Sequence, residues 1–595
     1  MDAPRAHPRG GAPSVGPVSS TTPRTPSAVD ALADRHLEGA AALDPDLRVH
    51  LGLPGRTDEP TDRSPEGAAA RAEHDRRTLA ELDALLAGAS PTGGRTGTEL
   101  DDTDATTAAA MRDRLGLQVA VHEAGLDVGD LAVLASPVQS VQEVFDLMDT
   151  ATADDWAAIA SRLSRTDEAL AGYTASLRAA VAAGRPPARR QVDACLEQIA
   201  GFTSDDGPFA RLVAGARPDG AAPSPALAAD LARGAAAARE AYDALAVVLR
   251  DELAPAARTT DAVGRDDYAL LSRHHVGAAL DLEEAYAWGL EEVARLEAEM
   301  TATAQRITPG ASTREVIAQL EADPDRQVVG TDALRSWMQE LSDSAVEALA
   351  GTHFDIPDPV RRLECRIAPS SSGVIYYTGP SEDFSRPGRM WWSVPPGVER
   401  FGTWRERTTV FHEGVPGHHL QIGQTLYRSA SLNRWRRMLC FTSGHAEGWA
   451  LYAERLMSDL GWLEDPADHL GMLDGSLFRA ARVVVDIGLH LGLQAPAEVA
   501  TSPGAAWDAD AVWRYLRQHT FQAEEFLRFE HLRYLGWPGQ APSYKLGERV
   551  WLGLREDARA RAAADGTPFD LVAWHRRALD VGSVPLDVLR GALAR

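Results

Sequence analysis

The stretch VFHEGVPGHHLQ, residues 410 to 421, gathers three imidazoles and a carboxylate. In an H-E-x-x-H helix, two histidines one turn apart hold zinc and the glutamate beside the first takes the proton of the attacking water. Here the residue four after His412 is Pro416, and the next histidines are His418 and His419. Pro416 lacks an amide hydrogen and clashes with the carbonyl four residues earlier, so a regular turn is disfavoured and a bulge or widened turn is expected. Looping out two residues returns His418 to the face of the usual second ligand. His419 is the alternative: on an unbroken helix it also returns to the face of His412, but about 10 Å further along.

A hydrolytic zinc centre needs three protein ligands, an open position and a base. His412 and His418 supply two ligands and Glu413 the base. The segment CFTSGHAEGWALYAERLMSDLG reads as a helix and sets Glu447 near Trp449 and Tyr452. A buried acid is costly unless paired or metal-bound, which makes Glu447 the third ligand. The competing readings are a solvated His-rich helix start and a surface charge pair involving Glu454 and Arg455. The implied cofactor is one Zn2+ per chain, although histidine and carboxylate donors also accept manganese, cobalt or iron.

Amide hydrolysis develops an oxyanion that needs a preorganised donor, and the Tyr544 hydroxyl suits that role. Next to it, Lys545 and Gln540 are candidates for binding a substrate carboxylate or carbonyl, with a surface lysine as the plain alternative. Arg482, Asp486 and His490 form one stripe of an apolar helix. Asp486 can orient His490 for proton donation, or the three can form a structural network. SGVIYYTGP reads as a strand whose edge can hold an extended peptide, with Tyr376 and Tyr377 on opposite faces. Tyr377 and Arg389 join the substrate-binding candidates, against core-aromatic and loop-arginine readings; Arg386 is the alternative to Arg389.

The elements that must position these groups are mostly helical. Residues 1–27 are rich in Pro, Ser, Thr and Gly and read as a disordered tail. Helical periodicity begins near Val29, with loops near residues 95 and 220. Asp281 followed by Glu284 marks a capped start of a long helix, and two further helices open at Ser312 and Thr331. The one β region expected lies between residues 361 and 396, just before the motif helix. The reading is a mainly α, two-lobed protein: an N-terminal helical lobe at 28–260 and a catalytic lobe at 261–595.

The net charge of −26 and pI of about 5.1 disfavour nucleic acid and anionic membrane as partners. Three separated cysteines, Cys195, Cys365 and Cys440, fit a reducing compartment, and the N-terminal stretch has no apolar core of a signal peptide, so a cytoplasmic protein is expected.

HEGVPGHHLQ, followed by GHAEGWALYAE and RYLGWPGQAPSYKLGERVW, resembles the bacterial family called domain of unknown function 885, placed among gluzincin-like peptidases. The chain is more distantly similar to Taq carboxypeptidase, oligopeptidases and angiotensin-converting enzyme. In those families Gly-His follows the His-Glu pair directly, whereas here Gly417-His418 comes two residues late. Their late tyrosine, which polarises the scissile carbonyl, corresponds to Tyr544 within Pro542–Gly547. The resemblance implies hydrolysis of a peptide-like bond; a closed cleft between the two helical lobes would favour short peptides over folded proteins, so an oligopeptidase or carboxypeptidase is expected. Two other readings are an amide hydrolase of one specialised small metabolite and a non-catalytic peptide-binding protein.

Overall fold

A computed structural model describes residues 24–88, 100–368, 375–395 and 397–595, which are mainly helical with two small sheets. The loop expected near residue 95, the start of SGVIYYTGP and residues 1–23 of the expected tail lie outside the described residues. Residues 24–27 are anchored to the fold. Arg24 pairs with Asp30, Asp101 and Asp104, and the Ser27 hydroxyl caps the helix Ala28–Leu43.

Local capping fixes several helix starts. Asp281 accepts from the Glu284 amide at 3.0 Å and opens Leu282–Ile307. The Glu284 carboxylate binds Arg549 instead of closing a capping box, which ties this helix to Ser543–Ala564. Ser312 and Glu315 form a complete capping box on Thr313–Ala322, whereas Thr331–Leu349 starts behind Gly330.

Five short strands precede the motif: β1 Gln327–Val329, β2 Leu363–Ile367, β3 Ile375–Thr378, β4 Gly388–Trp392 and β5 Arg400–Gly402. β4 is central to a three-stranded sheet, parallel to β2 and antiparallel to β3, while β1 and β5 pair antiparallel. Alternation is clear in β4, where Gly388, Met390 and Trp392 are buried while Arg389 and Trp391 are half-buried. β1 and β5, a pair of three-residue strands, both fall outside the expected β region, because three residues are too few to show a period of two.

The apolar core forms two clusters. One unites helices between Pro137 and Ala256 around Trp156, Tyr173, Phe209 and Tyr242. The other joins N-terminal residues such as Leu32 and Met111 to residues from Tyr268 to Leu593. At the centre of the second runs Pro466–His490, with Val483, Val484, Val485 and Ile487 all fully buried. A helix apolar on every face must lie inside, so its polar members Asp474, Arg482, Asp486 and His490 are interior too. Among the described residues no helix is long and apolar enough to cross a membrane.

Two helices of the candidate site meet backbone to backbone. Ser443–Asp459 crosses Ser543–Ala564 at Gly448 and Gly547: a Cβ on Gly448 would lie 2.3 Å from the Gly547 carbonyl carbon, and one on Gly547 2.2 Å from the Gly444 oxygen. This contact holds Glu447, the neighbour of Gly448, against the helix turn that carries Tyr544. Replacing Gly448 by Val should lower stability by about 1–3 kcal/mol or more, as overpacking does. A thermal unfolding midpoint equal to wild type would show that the crossing is not tight.

Candidate metal centre

Thr403–Glu413 stops at Glu413 and a separate helix, His418–Tyr427, begins at His418. The expected bulge within one helix is therefore a break between two. Gly414 (φ −95°, ψ −130°) and Gly417 (φ −75°, ψ −132°) bracket a cis Val415–Pro416 bond. A Cβ on Gly417 would stand 1.9 Å from the His412 carbonyl oxygen, and one on Gly414 2.6 Å from that of Val410. Only glycine lets the turn fold so closely onto the preceding helix. The Gly417 amide donates to the Phe411 carbonyl at 3.1 Å, and the Trp449 indole donates to the Pro416 carbonyl at 2.8 Å.

This turn brings His412, His418 and Glu447 together, with one donor atom from each lying within 4.8 Å of the others. His412 Nε2 is 3.3 Å and His418 Nε2 3.5 Å from the same oxygen, Glu447 Oε2. Tetrahedral zinc with bonds of about 2.0–2.2 Å would space its ligand atoms roughly 3.3–3.6 Å apart, so the donor set fits. Glu447 Oε2 is also buried without a hydrogen bond, an oxygen that an ion would satisfy.

A second carboxylate orients the first histidine. His412 Nδ1 lies 2.8 Å from Glu454 Oε1, and the Thr408 hydroxyl donates to Glu454 Oε2 at 2.5 Å. With the proton on Nδ1, the Nε2 lone pair faces the other donors. Burial would lower the His412 pKa, but the carboxylates of Glu447 and Glu454 beside its two nitrogens outweigh it and raise it to about 9. Burial pushes the Glu447 and Glu454 carboxyls up. Glu447 is nevertheless held well below its usual range by the His418 charge and the close approach of the His412 and His418 rings, and Glu454 is lowered by Arg479, His412 and Thr408. Glu413 is raised by burial, against the pull of His418 and His412.

His419 points elsewhere. Its Nδ1 meets the Tyr377 hydroxyl at 2.9 Å and its Nε2 the Val360 carbonyl at 2.7 Å, so both ring nitrogens are engaged. Gly388 leaves space for this pair, since a Cβ there would lie 2.2 Å from the Tyr377 oxygen. Tyr377 thus secures His419 rather than presenting a free hydroxyl to a ligand.

Tyr544 is half-buried, with the Arg482 guanidinium 4.9 Å above its ring. Its hydroxyl makes no hydrogen bond among the described residues. Burial and the Glu447 charge raise its pKa, keeping it a protonated donor. The remaining sequence candidates are committed elsewhere. Lys545 is buried against Ser476, Glu548 and Glu292. Gln540 binds Arg533 and Ser443. Arg389 pairs with Glu364 at 3.0 Å. His490 donates from Nε2 to the Tyr534 carbonyl at 2.9 Å and stacks on Tyr268, while Asp486 accepts from Tyr268 and the Gly539 amide. Burial lowers His490 to about 4 and raises Asp486 to about 7. These four have structural contacts that do not involve the three donors.

Sequence reasoning missed Thr408 and Arg479 and considered Glu454 only in a competing surface charge pair with Arg455. A signal existed: Thr408 precedes His412 by one helical turn, and Glu454 follows Glu447 by two. A cavity of about 730 Å3 lined by His36, Asp75, Arg114, His275 and Trp537 touches none of the three donors.

Fold and site together define a helical protein with a His-His-Glu candidate metal centre built from two helices broken at a Gly-x-Pro-Gly turn and a third crossing them. The chain belongs to the family described as bacterial protein of unknown function, DUF885, which matches residues 45–593. No curated protein matches it. A Colwellia psychrerythraea protein provisionally described as a lipoprotein has a similar structure, with 23% identity, a TM-score of 0.79 and coverage of 96% of this chain and 99% of that one. A Shewanella oneidensis protein, provisionally a lipoprotein of unknown function, follows at 16% identity and TM-score 0.68, covering 96% and 100%. These likenesses concern the fold alone. A Pyrococcus furiosus carboxypeptidase is similar only distantly, at 11% identity, TM-score 0.40 and 96% of each chain.

If the three donors form the site, zinc-loaded protein analysed by plasma mass spectrometry should lose its metal on His412→Ala, His418→Ala or Glu447→Ala and keep it on His419→Ala. Glu454→Ala should weaken metal affinity by about 10- to 100-fold, as loss of an orienting partner does. Metal retained in the His418 variant and lost in the His419 variant would contradict the assignment.

Proposed function

We propose that the protein is a metal-dependent hydrolase, a zinc peptidase acting on amide bonds of short peptides. The observation that carries this reading is the convergence of His412 Nε2, His418 Nε2 and Glu447 Oε2 beside the buried carboxylate of Glu413. This is a gluzincin-like donor set, three protein ligands with a base next to the first, and a non-catalytic binder has no need of that base.

An ion held by these side chains supplies Lewis acidity and makes hydroxide available near neutral pH. Glu413 takes the proton of the attacking water and delivers it to the leaving amine. Its burial, which raises its proton affinity, suits a group that must hold that proton between the two transfers. Tyr544 donates its free hydroxyl to the carbonyl oxygen as negative charge develops there. Glu454 and Thr408 hold the His412 ring in place throughout.

Glu413→Gln separates an enzyme from a binder: turnover of a mixed short-peptide library should fall at least about 100-fold, the usual worth of a general base, with metal content unchanged. Tyr544→Phe should lower kcat by about 100- to 1,000-fold with a smaller change in KM. Equal turnover by wild type and Glu413→Gln would remove Glu413 from the reaction.

A further inference from the structure

The helix Pro466–His490 passes behind the centre and carries one cation whose donors are unspent. Gly475 has no side chain, and the Arg479 guanidinium folds back over it: a Cβ on Gly475 would lie 2.8 Å from Arg479 Nη1. The same nitrogen is 3.6 Å from Glu454 Oε1, close enough for charge attraction and too far for a hydrogen bond. Among the described residues Arg479 makes no hydrogen bond, and its side chain keeps 17% of its surface exposed.

The neighbouring cations are already paired. Lys545 serves Ser476, Glu548 and Glu292. Arg482 binds Glu530 at 3.1 Å, and Arg533 binds Glu530 and Gln540. Arg405 faces Asp474 and Glu321. Arg479 has a single ionic contact, to Glu454 at 3.6 Å, and no hydrogen bond among the described residues, so most of its planar fork of donors is left for a ligand.

Its field reaches the groups assigned to the reaction. The Arg479 charge acts on His412, Glu413, Glu454 and Tyr544. Three carboxylates, Glu413, Glu447 and Glu454, crowd this region in a chain of net charge −26. An anionic substrate group would be repelled there without a local cation, and a guanidinium that makes no hydrogen bond is the side chain best shaped to take a carboxylate in two parallel hydrogen bonds.

We propose that Arg479 is the specificity-determining residue of the site, binding the free α-carboxylate of a substrate so that the C-terminal residue of a peptide or N-acyl amino acid is the one released. This rests on the hydrolytic reading above. The carboxylate docks on Arg479 while the adjoining amide carbonyl lies toward Tyr544 and Glu413. Neutral C-terminal amides lose the ion pair, and internal bonds have no anchor.

The test compares benzyloxycarbonyl-Gly-Phe with its C-terminal amide on zinc-loaded wild type, Arg479→Met and Arg479→Lys. Wild type should favour the acid by at least about 10-fold in kcat/KM. Arg479→Met should lose about 10- to 100-fold on the acid, mainly through KM, and clearly less on the amide, whose smaller loss reports the charge removed beside Glu454, and Arg479→Lys should recover part of the loss on the acid. A second arm reads binding without turnover: calorimetry of N-acetylphenylalanine against its amide on Glu413→Gln protein, with and without Arg479→Met. Preference for the acid that vanishes with Arg479→Met supports the proposal even if wild type cleaves neither peptide, in which case the hydrolytic reading is what fails. Equal turnover of acid and amide by an active wild type, an equal loss on both in Arg479→Met, or equal binding of N-acetylphenylalanine and its amide overturns the proposal and leaves Arg479 a structural neighbour of Glu454.

Discussion

No side chain can stand between Gly417 and the carbonyl of His412. That contact, 1.9 Å from where a Cβ would sit, forces the chain to turn back onto the helix it has just left. The consequence is a second helix that begins at His418 and presents that residue to His412 across the break. Pro416 cannot continue a helix, so the break is specified twice, by a residue that stops the first helix and by glycines that allow the tight return. Trp449 then pins the turn from the ligand helix through its bond to the Pro416 carbonyl, which places Glu447 on the third side.

The electrostatics follow from that geometry. Burying Glu413, Glu447 and Glu454 in one region is costly, because each loses hydration and repels the others. The cost is offset unevenly. Glu454 is satisfied by His412 and Thr408, with Arg479 nearby, whereas Glu447 keeps an oxygen with no hydrogen-bond donor. Glu413 meets the same burial with a raised proton affinity. One carboxylate is thus built to orient, one to ligate and one to carry a proton, and the difference lies in their partners rather than in their chemistry.

Much of this was legible in the sequence, and the parts that were not share a cause. The helical fold, the small β region before the motif, and the candidacy of His412, Glu447 and one of His418 and His419 as ligands can be read from periodicity, residue type and spacing. The choice between His418 and His419 cannot, since it turns on Tyr377 and Val360, distant residues that occupy both nitrogens of His419. The protein partners of Lys545, Gln540, Arg389 and His490 were out of reach for the same reason: Glu292, Arg533, Glu364 and the Tyr534 carbonyl meet them only through the fold. Arg479 hid in the opposite way. Its availability is the lack of any hydrogen bond beyond its 3.6 Å ion pair with Glu454, which no local pattern records.

The central claim is that the three side chains form one metal site. A crystal of zinc-loaded protein measured on both sides of the zinc absorption edge tests it most directly. The account predicts one strong anomalous peak per chain, about 2.0–2.2 Å from His412 Nε2, His418 Nε2 and a Glu447 oxygen, with His419 still bonded to Tyr377. A peak ligated by His419, a peak elsewhere, or no peak at saturating zinc would contradict it.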